Sequence, residues 1–369
     1  SVIYQNRLYQ LIYYKPIQDK THETPILIIP PWINKFYILD LKPENSFIKF
    51  LLKKGIPVFL ISWVNPDASH SDIGYDDYLK DGLFDAINQT RQIYSVDTIN
   101  TIGYCIGGTL LATGLSYLNS KNLNYINSAS FFTTLTDFED PGDLSIFISE
   151  EYLATIKNQI DEKGYLDGDF LSQTFSFLRS NDLIYGPAVK SYLLGKKPPP
   201  FDLLYWNSDP TNLPGKMALE YLENFYKHNK FSKGSLEVLG ETINLGQISQ
   251  PIAAIGTFND HIAPWQSSFN GLSKTKGEKL FILAGSGHIA GIINPENSNK
   301  YGYWINNKKY NNAEDWFNSS TNKNGSWWNE WYEWKKLYLG EMELDKKIKI
   351  DLTDLIELAP GSYVKKKNK

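Results

Sequence analysis

Gly103-Tyr104-Cys105-Ile106-Gly107-Gly108 contains the only cysteine of the chain, and its surroundings decide the fold. The apolar run Thr98-Ile99-Asn100-Thr101-Ile102 leads into it, and the helix-like run Thr109-Leu110-Leu111-Ala112-Thr113-Gly114-Leu115 leads out. Strand, sharp glycine-flanked turn and helix are the setting of a nucleophile elbow, here with Cys where Ser usually stands. Such a turn holds its nucleophile in strained backbone geometry, and a Cβ on either side would collide with neighbouring backbone. The helix N-terminus behind the sulfur favours a thiolate and aims free N–H groups at a developing oxyanion. A free Cys is also often just a small buried core residue, so the elbow needs partners before it means chemistry.

Working outward, Pro25-Ile26-Leu27-Ile28-Ile29 is a continuous apolar run stopped by Pro30-Pro31, as expected of a strand buried on both faces. Residues 45–54 read as a helix ended by Gly55, and 57–63 as a second buried strand. Residues 75–94 are helical in period, and 128–134 read as a fourth strand. Repeated strand–helix alternation predicts an α/β fold, specifically an α/β-hydrolase fold around a mostly parallel sheet. The alternation breaks over 135–245, where 150–163, 168–179, 184–194 and 214–228 read as helices around a Lys196-Lys197-Pro198-Pro199-Pro200 loop. It resumes at 252–256 and 279–284. The expected organisation is a core of 1–134 and 246–369 with a helical cap, 135–245, inserted in it. Residues 1–24 read as one or two edge strands.

Composition narrows the function classes. Net charge of −4 argues against nucleic acid as the main partner. One cysteine excludes an intramolecular disulfide and suits a reducing, cytoplasmic setting. No run reaches the 18 or more apolar residues of a membrane span, and the first residues carry no signal-peptide pattern. Aromatic content is high, at 14%, and six of ten tryptophans fall in 300–335. That region reads as a C-terminal helix packed on the core, with an exposed contact surface as the alternative. The tail, Lys365-Lys366-Lys367-Asn368-Lys369, reads as a frayed, solvated end.

A cysteine nucleophile needs a base in hydrogen-bond reach, and the base needs an orienting group. In this fold the order is nucleophile, acid, then His, each on a loop at the strands' C-terminal ends. His288, in Gly285-Ser286-Gly287-His288-Ile289-Ala290-Gly291, follows the last predicted strand. Asp260 follows the preceding strand, in the slot for the acid; its competing role is a helix N-cap. His22 lies at the wrong end of its strand, His228 in the cap, and His70 in a polar loop where it should be solvated. His261, beside Asp260, is the runner-up base and is expected to line the pocket or hold the loop. The oxyanion hole should combine the Ile106 N–H with one from Pro30-Pro31-Trp32-Ile33-Asn34. Prolines have no N–H, so Trp32 or Ile33 must donate, and Ile33 is favoured. Trp32, Tyr104 and His261 are candidate pocket residues. No His, Cys and carboxylate cluster has metal-ligand spacing, and no dinucleotide fingerprint stands out.

These segments resemble the catalytic domain of the polyhydroxyalkanoate synthases, polyester polymerases of bacterial storage granules. The resemblance runs through Pro30–Leu41, Ser62–Asp67, Gly103–Gly108, Asn259–Trp265, Gly285–Pro295 and Ala359–Val364. The long class I synthases, which prefer short-chain monomers, look most similar. They carry an N-terminal domain that nothing here resembles, so the chain, which starts at Ser1, reads as a catalytic-domain fragment. The resemblance gives Cys105, Asp260 and His288 the catalytic roles. It implies a 3-hydroxyacyl-CoA substrate, a Cys-linked thioester, a growing polyester at a granule surface, a homodimer as candidate assembly, and no cofactor. Asp260 then orients His288, acts on the attacking hydroxyl itself, or does both in turn. The competing functions are a cysteine hydrolase of thioesterase or dienelactone-hydrolase type and an inactive granule-binding protein.

Overall fold

The computed structural model describes residues 1–178, 201–308, 310, 312–344 and 355–368. Ten strands form one sheet: β1 (Val2–Gln5), β2 (Tyr9–Tyr14), β3 (Ile26–Ile29), β4 (Val58–Trp63), β5 (Ile99–Tyr104), β6 (Ile126–Phe132), β7 (Ile252–Thr257), β8 (Lys279–Ala284), β9 (Tyr303–Ile305) and β10 (Thr321–Lys323). Their spatial order is β1-β2-β4-β3-β5-β6-β7-β8-β9-β10. From β4 to β8 every neighbouring pair is parallel, while β1, β2, β9 and β10 pair antiparallel at the two margins. The six parallel strands are buried along nearly their whole length, and β3 (ILII) and β4 (VFLISW) read as apolar runs, as expected of strands covered on both faces.

The helices follow from the sequence as directly. In α1 (Phe47–Lys53), the Ser46 hydroxyl caps the first turn by accepting from the Lys49 N–H at 2.9 Å. Residues 75–94 form one helical run: a turn at Tyr75–Asp77, a wider π segment at Tyr78–Phe84, then α2 (Asp85–Tyr94). Behind the elbow, α3 (Ile106–Ser120) is buried along nearly its whole length.

Between β6 and β7 the chain leaves the sheet. The described part holds α4 (Glu150–Lys163), α5 (Gly168–Leu178), α6 (Phe201–Asn207) and α7 (Gly215–Tyr221). A π segment, Leu222–Lys227, follows, and then a hairpin, Leu236–Val238 with Glu241–Ile243, which the sequence reading missed. The predicted helix 184–194 and the Pro-rich loop 196–200 lie outside the described residues. After β7 come α8 (Trp265–Ser273), α9 (Ala313–Asn318) and α10 (Trp328–Lys335).

The tryptophan-rich region is core. Trp316, Trp327, Trp328, Trp331 and Trp334 are all buried. Phe47 of α1 meets Trp327, Trp328 and Trp331 at 6.1, 5.1 and 5.5 Å between ring centroids, with Phe132 of β6 beneath. Packing aromatics edge-on in this way contributes beyond the area that they bury.

Two expectations fail. His70 is buried rather than solvated: Asp67 and Ser69 bond its ring in a capping box. The tail is docked rather than frayed. The Lys366 carbonyl accepts from Lys35 Nζ at 2.9 Å and from Asn65 Nδ2 at 3.2 Å, and Lys366 Nζ meets Asp67 at 2.6 Å. A run of lysines looks solvated in sequence, but here its backbone satisfies buried donors that need an acceptor.

Candidate active site

Cys105 ends β5 and begins α3 with φ 53° and ψ −125°, a strained backbone for a residue with a Cβ. The turn is that tight because its flanks can touch. A Cβ on Gly103 would lie 2.4 Å from the Gly108 Cα, and one on Gly107 would lie 2.3 Å from the Ile29 carbonyl oxygen. The Cys105 N–H is fixed to the Phe132 carbonyl at 2.8 Å, and the Cys105 carbonyl accepts from the Gly108 N–H at 2.9 Å. The sulfur is half-buried at the head of the helix.

His288 and Asp260 meet as the order of slots predicts. His288 Nδ1 lies 2.7 Å from Asp260 Oδ2, with the carboxylate fully buried. The same ring hydrogen-bonds the Cys105 side chain. Asp260 also serves as the turn cap that was its competing reading. Its Oδ1 accepts from the Ile262 and Ala263 N–H groups, both at 2.9 Å, and Thr257 Oγ1 donates to Oδ2 at 3.1 Å. One oxygen builds the loop while the other holds the imidazole. Burial disfavours the charged imidazole, but the Asp260 carboxylate, the Cys105 sulfur and the hydrogen bonds to both override it and push its pKa up to about 10. That favours the protonated imidazole at the head of the elbow.

The candidate pocket residues separate. Tyr104 sits at the site: its hydroxyl donates to the His288 carbonyl at 3.1 Å and its ring stacks on the imidazole at 5.9 Å. Trp32 does not line an opening. It is buried between Trp63 and Tyr78, at 5.4 and 4.7 Å. His261 turns its side chain to solvent and holds the loop with its backbone, its carbonyl accepting from the Asp143 N–H at 3.0 Å. Ile106 opens α3, and Ile33 lies in the loop whose Pro30 carbonyl packs against Gly107. His22 bonds the Gly340 carbonyl at 3.1 Å, and exposed His228 sits 3.8 Å from Glu223.

Other residues at the site were missed in the sequence. Tyr221 and Tyr226 come close enough to Cys105 for its charge to raise their hydroxyl pKa values, though burial contributes most of that rise. With Phe138 and Phe225 they form one aromatic cluster, with ring centroids 4.9–6.2 Å apart. The π segment matters here, since a widened turn re-aims side chains that a regular helix would place elsewhere. The His288 loop has its own support: Trp327 and Trp328 donate their indole N–H groups to the Gly291 and Ile292 carbonyls at 2.8 and 2.9 Å. Among the described residues, no three His, Cys, Asp or Glu side chains are grouped to hold a metal ion.

A thiol-bearing elbow, a parallel sheet and an acid–imidazole pair on the two following loops define a protein of the α/β-hydrolase class. Its backbone superposes on a soluble variant of monoglyceride lipase from Saccharomyces cerevisiae with TM-score 0.54 and 11% identity, over 92% of this chain and 96% of that one. Sequence then narrows the class. The chain is 40% identical over 365 residues to the poly(3-hydroxyalkanoate) polymerase subunit PhaC of Rhizobium meliloti (strain 1021), covering 99% of this chain and 60% of that protein. It is 39% identical over 377 residues to the subunit of the same name from Cupriavidus necator, covering 100% of this chain and 64% of that protein. The family model "Poly-beta-hydroxybutyrate polymerase (PhaC) N-terminus" matches residues 1–51, which carry β1 to β3 and most of α1. The chain is thus similar over nearly its whole length to poly(3-hydroxyalkanoate) polymerases, and it spans about 60% of the length of these curated relatives.

Proposed function

We propose that this chain polymerises 3-hydroxyacyl-CoA, with short-chain 3-hydroxybutyryl-CoA as monomer, into polyester with release of CoA. The observation that carries the proposal is the buried Asp260–His288 pair bonded to the lone thiol of the elbow, in a chain related over nearly its full length to proteins named poly(3-hydroxyalkanoate) polymerase. In the first step the Cys105 sulfur attacks the thioester carbonyl, the C–S bond to CoA breaks, and the CoA thiolate takes the proton held on His288. One thioester replaces another at little cost, so the acyl group stays activated. The Ile106 and Ile33 N–H groups serve the developing oxyanion. In the second step a 3-hydroxyl, of a monomer or of the chain end, attacks an acyl thioester and gives up its proton to His288, or directly to Asp260, while the thiol leaves.

Water must lose to that hydroxyl. Residues 135–245 serve as the cap, and the aromatic cluster of Phe138, Tyr221, Phe225 and Tyr226 is its dry inner surface. CoA enters as part of the substrate, and no cofactor takes part. The growing polyester places the protein at a storage-granule surface in the cytoplasm, as a homodimer. Among the described residues, no helix is long and apolar enough to cross a membrane, so the proposal rests on attachment through product. The deciding experiment is incubation with 3-hydroxybutyryl-CoA. CoA release with insoluble polyester is the expected result. CoA release with free hydroxy acid would make the chain a thioesterase, and no CoA release would leave it a granule-binding protein.

A further inference from the structure

The loop that follows β3 is held by the segment after α6. Thr211 donates twice into it: its hydroxyl to the Trp32 carbonyl, and its backbone N–H to the Ile33 carbonyl at 3.0 Å. Trp206 Nε1 donates to the Lys35 carbonyl at 2.8 Å, and Asn34 and Pro210 form an antiparallel bridge. On the sheet side, Trp63 Nε1 takes the Pro30 carbonyl at 2.9 Å.

A trans peptide is a plane in which C=O and N–H point in opposite directions. The Trp32–Ile33 bond is trans, the only cis bond among the described residues being Ala359–Pro360. Fixing the Trp32 carbonyl on Thr211 therefore fixes the direction of the Ile33 N–H. Pro30 and Pro31 offer no N–H, and among the described residues no acceptor is bonded to the Ile33 N–H. Thr211 is itself anchored. Two residues before it, buried Asp209 receives Lys35 Nζ at 2.8 Å and the Tyr37 hydroxyl at 2.9 Å, and Lys367 lies at 3.2 Å. One residue after it, the Asn212 N–H donates to Asn65 Oδ1 at 2.9 Å.

We propose that Thr211 is a positioning residue that orients the Ile33 N–H as an oxyanion donor, with the buried Asp209–Lys35 pair holding Thr211 in place. The proposal rests on the reading of Ile33 as that donor. It makes the segment entering α7 part of the catalytic apparatus without touching substrate. It also gives the docked tail a task, because Lys366 and Lys367 close the same junction.

The test separates oxyanion chemistry from thiol chemistry. Acylation of Cys105 by p-nitrophenyl acetate builds an oxyanion, whereas alkylation by iodoacetamide displaces halide at a saturated carbon and builds none. In Thr211→Val the rate constant of the acylation burst should fall by about 10- to 100-fold, short of the roughly 10²–10³ for complete loss of a donor. Its KM and the alkylation rate should stay within about twofold of the parent. Thr211→Ser, which keeps the hydroxyl, should recover most of the burst rate, and Thr211→Ala, which adds no methyl in the hydroxyl's place, should lose the burst rate to the same extent as valine. An unchanged burst in both hydroxyl-less variants overturns the proposal. So do parallel losses of acylation and alkylation, a serine variant as slow as valine, or a parent without a burst. Failure of the polymerase reading looks different: the parent would release no CoA from 3-hydroxybutyryl-CoA while the aryl-ester burst and its dependence on Thr211 remained.

Discussion

Trp327 donates its indole N–H to the Gly291 carbonyl at 2.8 Å, three residues beyond His288 in a loop whose own Gly291 N–H returns to the Gly287 carbonyl. The tryptophan is fully buried against Phe47 and Phe132. The base is thus carried on a loop whose rigidity is borrowed from the aromatic core. Trp327→Phe keeps much of the packing and strands a buried acceptor, which costs about 1–3 kcal/mol. Denaturant unfolding should show that loss, and the acylation rate of Cys105 should fall while substrate KM changes little. A variant as stable and as fast as the parent would reduce the indole to core filler.

Cys105 carries the covalent step alone, because no other thiol exists in the chain. Cys105→Ala should keep the melting profile, or gain slightly as the strained elbow relaxes, and should show no acyl adduct by intact-mass spectrometry after exposure to 3-hydroxybutyryl-CoA. Cys105→Ser should acylate slowly and elongate worse, since an oxyester is a poorer acyl donor than a thioester. An adduct on the alanine variant would place the nucleophile elsewhere.

The parts legible in the sequence were those with a local signature. Strands such as β3 and β4, buried on both faces, spell near-continuous apolar runs, and Cys105, Asp260 and His288 follow the ends of β5, β7 and β8. What stayed hidden depends on partners that no local pattern names, several of them distant in the chain. Lys366 looks solvated until Lys35, 331 residues away, donates to its carbonyl. His70 looks like a loop residue because the Asp67 and Ser69 groups that satisfy it are themselves polar. Tyr226 lies on a widened helical segment that the 3.6-residue period does not announce, and Tyr221 ends the helix just before it. Trp327 was legible as core but not as the donor to the His288 loop, since indole direction is set by the packing of α10 on α1.

Lys335 is a core lysine that pairs with no carboxylate among the described residues. Its Nζ reaches the Ser128 hydroxyl at 2.9 Å and lies 5.2 Å from the centre of the Trp334 ring. Burial lowers its pKa well below the ordinary lysine value. Folding therefore disfavours the lysine proton, and stability falls as pH drops below the unfolded lysine's pKa. Lys335→Met should stabilise the protein by a few kcal/mol near neutral pH, order-of-magnitude for relieving an uncompensated buried amine. Ser128 keeps Asn100 as acceptor at 2.6 Å. The gain should grow as pH falls below the unfolded lysine's pKa in denaturant titrations. A loss of stability at every pH would mean that the bonds to Ser128 and the indole rings outweigh desolvation.

His288 has the opposite sign. Its pKa is raised from 6.5 to about 10, so the buried imidazolium between Asp260 and Cys105 adds stability that is complete below about pH 6.5. That stability is lost as pH rises through about 10. His288→Gln removes the cation, so the stability gap between parent and variant should be widest near pH 6 and narrow steadily toward pH 10. Asp260→Asn removes a carboxylate that raises the pKa, which should draw the window back toward neutral pH. The same variant divides the two chemical steps. If Asp260 only orients the imidazole, acylation and elongation should fall together, by roughly 10²–10⁴ as for a displaced general base. If its carboxylate also takes the proton from the 3-hydroxyl, elongation should fall well beyond acylation. Rapid-quench measurement of acyl-enzyme beside polymer yield reads both. A stability gap that is flat from pH 6 to 10 would mean that His288 is neutral throughout, and the ion-pair account of the thiol would fail.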